Sequence, residues 1–108
     1  LNRQRKVHKM LDISEYLERT AEIKLPGMTL HVYEPTHSMY IDALKAEENT
    51  DVNDFIDSQL KTVVAMLNRN KEEIKVKESE IGNLPRSFVV AVYRSMMELC
   101  SKSLNDPN

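Results

Sequence analysis

The side chains in this 108-residue sequence whose types suit chemistry are three histidines, one cysteine and a run of acids. His31 and His37 are six apart across Pro35, and His8 is remote from both. A tetrahedral metal site needs Cys or His pairs at short spacings such as HxxxH, and no such pair is present. Glu47, Glu48, Asp51, Asp54 and Asp57 form an acidic cluster without the Asp-x-Asp-x-Asp-Gly order of a calcium loop. Its expected role is electrostatic, at a helix start and on a solvated face. Ser87, Ser95 and Ser101 lack a GxSxG context. Cys100 has no helper base nearby in sequence. Two glycines leave little room for a phosphate-cradling loop. These patterns predict no enzyme, no cofactor and no metal.

The methionines point another way. Six in 108 residues is a high count, and Met fills irregular core gaps or serves adaptable binding surfaces. Met96 and Met97 fall in the longest apolar run, Leu84–Leu104, whose period is helical. On a helical wheel its apolar arc is roughly 200° wide, about twice what a one-sided surface helix needs. The Phe88, Val92 and Leu99 half suits a core. The half with Val89, Tyr93, Met97 and Leu104 suits a partner, with Met96 and Cys100 between them. The candidate partner-binding residues are therefore Val89, Tyr93, Met96, Met97 and Leu104. Cys100 reads as a shielded free thiol.

The other elements must position that helix. Asp12 with Glu15 resembles a capping box and opens a short helix over Asp12–Glu22. Pro26-Gly27 is a type II turn signal between two alternating apolar stretches, which predicts a hairpin or extended strap near residues 22–33. Thr36 caps a helix to Glu48, with Met39, Tyr40, Ala43 and Leu44 on one side. Thr50 or Asp51 caps a longer helix to about Asn68, with Val52, Ile56, Leu60, Val63 and Leu67 as its stripe. Residues 71–81 read as a charged, thinly anchored helix or ordered loop, with Ile74, Lys77 and Ile81 on one face and a Glu73–Lys77 pair. Pro85 suits the first turn of the last helix, and Asn105 and Pro107 its stop. The expected fold is mainly α: one domain, a small bundle of four to five helices with at most one short hairpin. Residues 1–9 form a basic, frayed arm and 105–108 a tail.

Composition excludes several classes. Hydrophobic residues make up 41% and charged residues 30%, with a net charge of −2. A general nucleic-acid binder needs a basic stripe, and only Arg3, Arg5, Lys6 and Lys9 offer one. No apolar run approaches the ~18 residues of a membrane span, and no signal-peptide pattern opens the chain.

The segment Leu25–Glu48, LPGMTLHVYEPTHSMYIDALKAEE, resembles the amino-terminal signature of tail assembly chaperones of long-tailed bacteriophages and prophages. In that family a short apolar segment and an extended piece lead to Glu-Pro-Thr or Glu-Pro-Ser, then to a helix ending in acids. Here these are Leu25–Val32, Glu34-Pro35-Thr36 and Met39–Glu48. The helix at Val52–Leu67 and the Leu84-Pro85 entry to a last helix are similar in order and length, so the likeness covers about three quarters of the chain. The resemblance implies a chaperone that binds a tape-measure-like protein through an apolar helix face, with the tail tube protein as a further partner. It also implies self-association, and action in the cytoplasm of the bacterial host rather than in the mature virion. A chaperone for a long helical client needs an apolar groove and surface charge rather than a catalytic group. Two rival readings are a helical nucleic-acid-binding regulator using the Leu1–Lys9 arm and a dimeric, antitoxin-like adaptor module. The lack of a basic recognition helix weighs against the former.

Overall fold

A computed structural model describes residues 10–102 and 104, so the expected basic arm at 1–9 and the tail at 105–108 lie outside the described residues. The described residues form five helices and one hairpin: α1 (Ile13–Leu17), β1 (Thr20–Leu25), β2 (Met28–Tyr33), α2 (His37–Ala46), α3 (Val52–Leu67), α4 (Glu78–Gly82) and α5 (Arg86–Ser101). The fold is mainly α, as the periodicities predict.

The hairpin is antiparallel, with Ile23 opposite Leu30 and Ala21 opposite Val32. That register puts Ile23, Leu25, Leu30 and Val32 on one buried face. Pro26 and Gly27 are the two loop residues, and Gly27 has φ +76°. No atom lies within 4 Å of where its Cβ would be, so glycine is used for its backbone conformation rather than for space. A two-stranded hairpin is marginal alone. Here β1 packs on α5 and β2 on α3.

Local capping follows the sequence closely in the middle of the chain. Thr36 Oγ1 accepts from Met39 N at 3.1 Å, and Asp51 accepts from the backbone of Asn53 and Asp54. The amino-terminal helix is shorter than expected. Asp12 caps it through Ser14 N, and it ends at Leu17. Thr20, Ala21 and Glu22 instead pair with Tyr33, Val32 and His31. Cross-strand pairing and the burial of Ile23 outweigh the helical spacing of so short a run.

Residues 71–77 take the ordered-loop alternative, and the largest correction is to their thin anchoring. Only Glu78–Gly82 is helical, and Val76, which falls off the expected apolar face, is among the buried core residues. Two asparagines hold this segment extended. Asn68 Oδ1 accepts from Val76 N at 2.7 Å, and its Nδ2 donates to Val76 O at 3.1 Å. Asn70 Nδ2 donates to Leu67 O at 2.7 Å and Ile74 O at 2.9 Å, while Oδ1 accepts from Ile74 N at 2.9 Å. Each side-chain amide thus stands in for a peptide group of a neighbouring strand. The turn between them puts Glu73 at φ +58°, so it cannot meet Lys77 across a helical turn. The same segment adds a rung to the hairpin. Tyr33 N donates to Arg69 O at 2.8 Å and Lys71 N to His31 O at 2.9 Å, with Val32 opposite Asn70. Outside that rung, Glu72 Oε1 accepts from His31 N at 2.8 Å, and its Oε2 lies 2.6 Å from His31 Nδ1.

One core joins all of this. Leu30 and Val32 from the hairpin, Val63, Met66 and Leu67 from α3, Val76, Ile81 from α4 and Met96 from α5 are at most 2% exposed.

Asn70→Ala leaves two carbonyls and one N–H of this turn without partners in a buried site, and should lower stability by about 3 kcal/mol. Asn70→Asp should be comparably damaging, because it turns an acceptor toward Leu67 O and Ile74 O. A lowered urea midpoint at unchanged m-value in both variants is the expected result. Glu72 gives a pH dependence. The His31 side-chain and backbone hydrogen bonds hold its carboxyl below the ordinary value of 4.5. A depressed acid contributes stability above its unfolded pKa and loses it as pH falls through the folded one. Relative to Glu72→Gln, the native chain should therefore lose stability more steeply below pH 4.5, as melting temperatures across pH 2–7 would record.

Candidate functional site

α2 and α5 both pack against α3 and leave a groove between them. α2 supplies Tyr40 and Leu44 as one wall, and α3 supplies Phe55 and Gln59 as the floor. α5 supplies Val90 and Met97, one heptad apart on its near side. The groove holds about 640 Å³, room for several side chains of an incoming helix. Its rim carries both signs: Glu47 and Glu98, Arg86 and Arg94.

A hydrogen bond spans the groove's base. The Tyr93 hydroxyl donates to Glu47 Oε2, tying α5 to the residue that caps the end of α2. Burial, then the Glu47 hydrogen bond and charge, push the phenol well above the ordinary tyrosine range, so it stays a donor. Gln59 is 6% exposed, and its buried Oε1 has no partner. Nothing in the sequence marks Gln59 as interior. It sits between Phe55 and Val63 on the inward side of α3, where i and i+4 neighbours draw it under.

The five sequence-predicted partner residues do not form one surface. Val89, Tyr93 and Met96 are 5%, 8% and 0% exposed and belong to the core. The core takes the centre of the wide α5 arc, Val92 of the Phe half together with Val89, Tyr93 and Met96, because α3 and the hairpin press on it from two directions. The half-buried margins are then Phe88 and Leu99 on one side and Val90 and Met97 on the other, while Cys100, between the halves, is half-buried in the last turn. Met97 alone of the five remains half-open to the groove. The helix ends at Ser101, with Lys102 extended at φ −92°, ψ 139°, so the half-buried Leu104 lies beyond the arc. Pro85 occupies the cap position rather than the first turn. Tyr40 and Leu44 of α2 were visible in sequence as part of an apolar face, whereas Phe55 and Gln59 of α3 lie off the expected stripe, and the common wall with α5 was not visible.

The remaining candidates stay apart. Cys100 is half-buried beside Glu34, and burial, then the Glu34 charge, raise its thiol above the ordinary range. A raised thiol is a poor nucleophile at neutral pH. Among the described residues, no group of three or more His, Cys, Asp or Glu could hold a metal ion. Among them, too, no helix is long and apolar enough to cross a membrane.

Tyr93→Phe removes the bond to Glu47 and should lower stability by about 1–2 kcal/mol, the range for a partly solvated bond to a charged acceptor. In a native alkaline titration of the four tyrosines at 295 nm, one should ionise only as the protein unfolds. Tyr93→Phe should delete that late step.

No protein-family model matches the chain, and no curated protein or solved structure matches it either.

Proposed function

We propose that this protein is a tail assembly chaperone of the long-tailed phage type. It binds an amphipathic helical stretch of a tape-measure-like protein and keeps that client soluble while the tail is built. The observation that carries this reading is the α2–α3–α5 groove. It is lined by Tyr40, Leu44, Phe55, Val90 and Met97 and rimmed by charge of both signs. A helix seated there would bury an i, i+4, i+7 apolar face between α2 and α5. Met97 and Tyr40 suit a varied client. Met repacks readily, and Tyr keeps a polar tip at the wet edge. The resemblance of Leu25–Glu48 to the chaperone signature names the client class, and α2 is the helix that closes that signature. The site of action is the host cytoplasm, before the virion is complete.

The test is co-expression with the tape-measure-like product. The native chain should carry it into the soluble fraction. Leu44→Glu and Met97→Glu place charge in the groove at positions that are not fully buried. Each should reduce soluble client at least fivefold while leaving the helical circular dichroism signal intact. Client binding should change little between 50 and 500 mM salt. A steep loss with salt would indicate phosphate-driven binding and the nucleic-acid reading instead.

A further inference from the structure

Among the described residues, and apart from Leu44 in the client groove, the large apolar side chains left in solvent fall into two sets that lie apart. Met10, Leu11, Ile13 and Leu17 surround α1 and are 83%, 80%, 69% and 64% exposed. Val52 and Ile56, in the first two turns of α3, are 67% and 40% exposed. These exposures show that neither set covers the other within one chain. α1 leads directly into β1, where Glu34 N donates to Arg19 O and Arg69 Nη1 donates to Glu34 O. Arg69 lies just past the carboxyl end of α3, so α1 joins the fold there. Val52 and Ile56 are in the first two turns at the other end of that 16-residue helix, which is about 24 Å long at 1.5 Å per residue.

Charge separates the same two regions. Residues 1–9, which lead into Met10, contain Arg3, Arg5, Lys6 and Lys9 and no acid. Residues 46–60, which contain Val52 and Ile56, hold Glu47, Glu48, Asp51, Asp54 and Asp57 and no Lys or Arg. A basic stretch running into bare apolar side chains therefore shares a chain with an acidic stretch that also bears them.

We infer that the α1 segment of one copy docks on the start of α3 in a second copy, reciprocally, in an antiparallel pair. Turning the second copy end for end brings each α1 beside the other's Val52 and Ile56. Both contacts are then made at once and the assembly closes on a two-fold axis. A cleft beside Ile56, lined by Leu60, Leu84 and Val89 with Asp57 and Arg86 at its charged edge, receives the incoming side chains. Asp57 is already paired with Lys61 and Glu47 with Tyr93, so the basic stretch approaches Glu48, Asp51 and Asp54, which orients the pair and speeds encounter. The client groove is on another side of α3, where Phe55 and Gln59 face it, so this inference does not rest on the proposed client.

The test is sedimentation equilibrium of the full chain across a hundredfold concentration range. The expected result is a monomer–dimer equilibrium that weakens from 50 to 500 mM salt. Two double variants, Leu11→Ser with Ile13→Ser and Val52→Ser with Ile56→Ser, alter exposed positions, so the fold should persist by circular dichroism. Each should weaken self-association at least tenfold. Mixing the two variants restores one of the two contacts, so the mixture should pair more tightly than either variant alone. A wild type that stays monomeric, species that grow without limit as concentration rises, or a mixture that gains nothing would each overturn the inference. Client solubilisation, measured separately on the same variants, should be retained.

Discussion

The side-chain amides of Asn68 and Asn70 set the frame for the rest of the fold. They close the carboxyl end of α3 and supply the donors and acceptors that a strand would otherwise give to residues 74–76. This holds Val76 in the core and starts α4 where Ile81 can also be buried. It also presents Arg69 and Lys71 to the hairpin, so that β2 is fastened along its outer edge. A buried polar group without partners is expensive, so this arrangement has little freedom to change partly. Helix, loop and hairpin share one set of hydrogen bonds.

The groove follows from that frame. With the hairpin fixed against the carboxyl end of α3, α5 must pack on both, and the middle of its apolar arc is used up in doing so. α2 packs chiefly on α3, with Ala43 as its one buried residue. A small side chain permits that close approach on one side and leaves Tyr40 and Leu44 on the open side. Tyr93 and Glu47 then join the two walls at the base. The opening is thus a consequence of a core too small to close over three helices at once.

The charge pattern adds a second level. Ion pairs such as Lys61 with Asp57 are exposed, and pairs of that kind contribute little to stability. Arg19 and Glu34 are more sheltered, at 12% and 23% side-chain exposure, and stand where α1 enters the fold. Charge therefore does little to hold the domain together. In the proposed antiparallel pair, its uneven distribution along the chain orients the two copies.

Several features were legible from residues alone. The expected α3 stripe is buried only toward its carboxyl end, with Val52 and Ile56 in solvent, but the Thr36 and Asp51 caps, the Pro26-Gly27 turn, the span of α3 and the body of α5 are local. Their physics is set within four or five residues, and so they appear in the structure as the spacing predicts. The extent of α1, the course of residues 71–77 and the end of α5 are not local. Thr20–Glu22 became strand because Tyr33, Val32 and His31 were available to pair, and Val76 became core because two asparagines reached it from before the turn. An asparagine in sequence is equally a helix stop, and only its partners distinguish the two roles. The candidate site divided the same way. The width of the α5 arc announced that some apolar surface would be left over. Which part of it was left over depended on where α3 and the hairpin pressed, and that choice buried Val89, Tyr93 and Met96 while keeping Met97 at the groove.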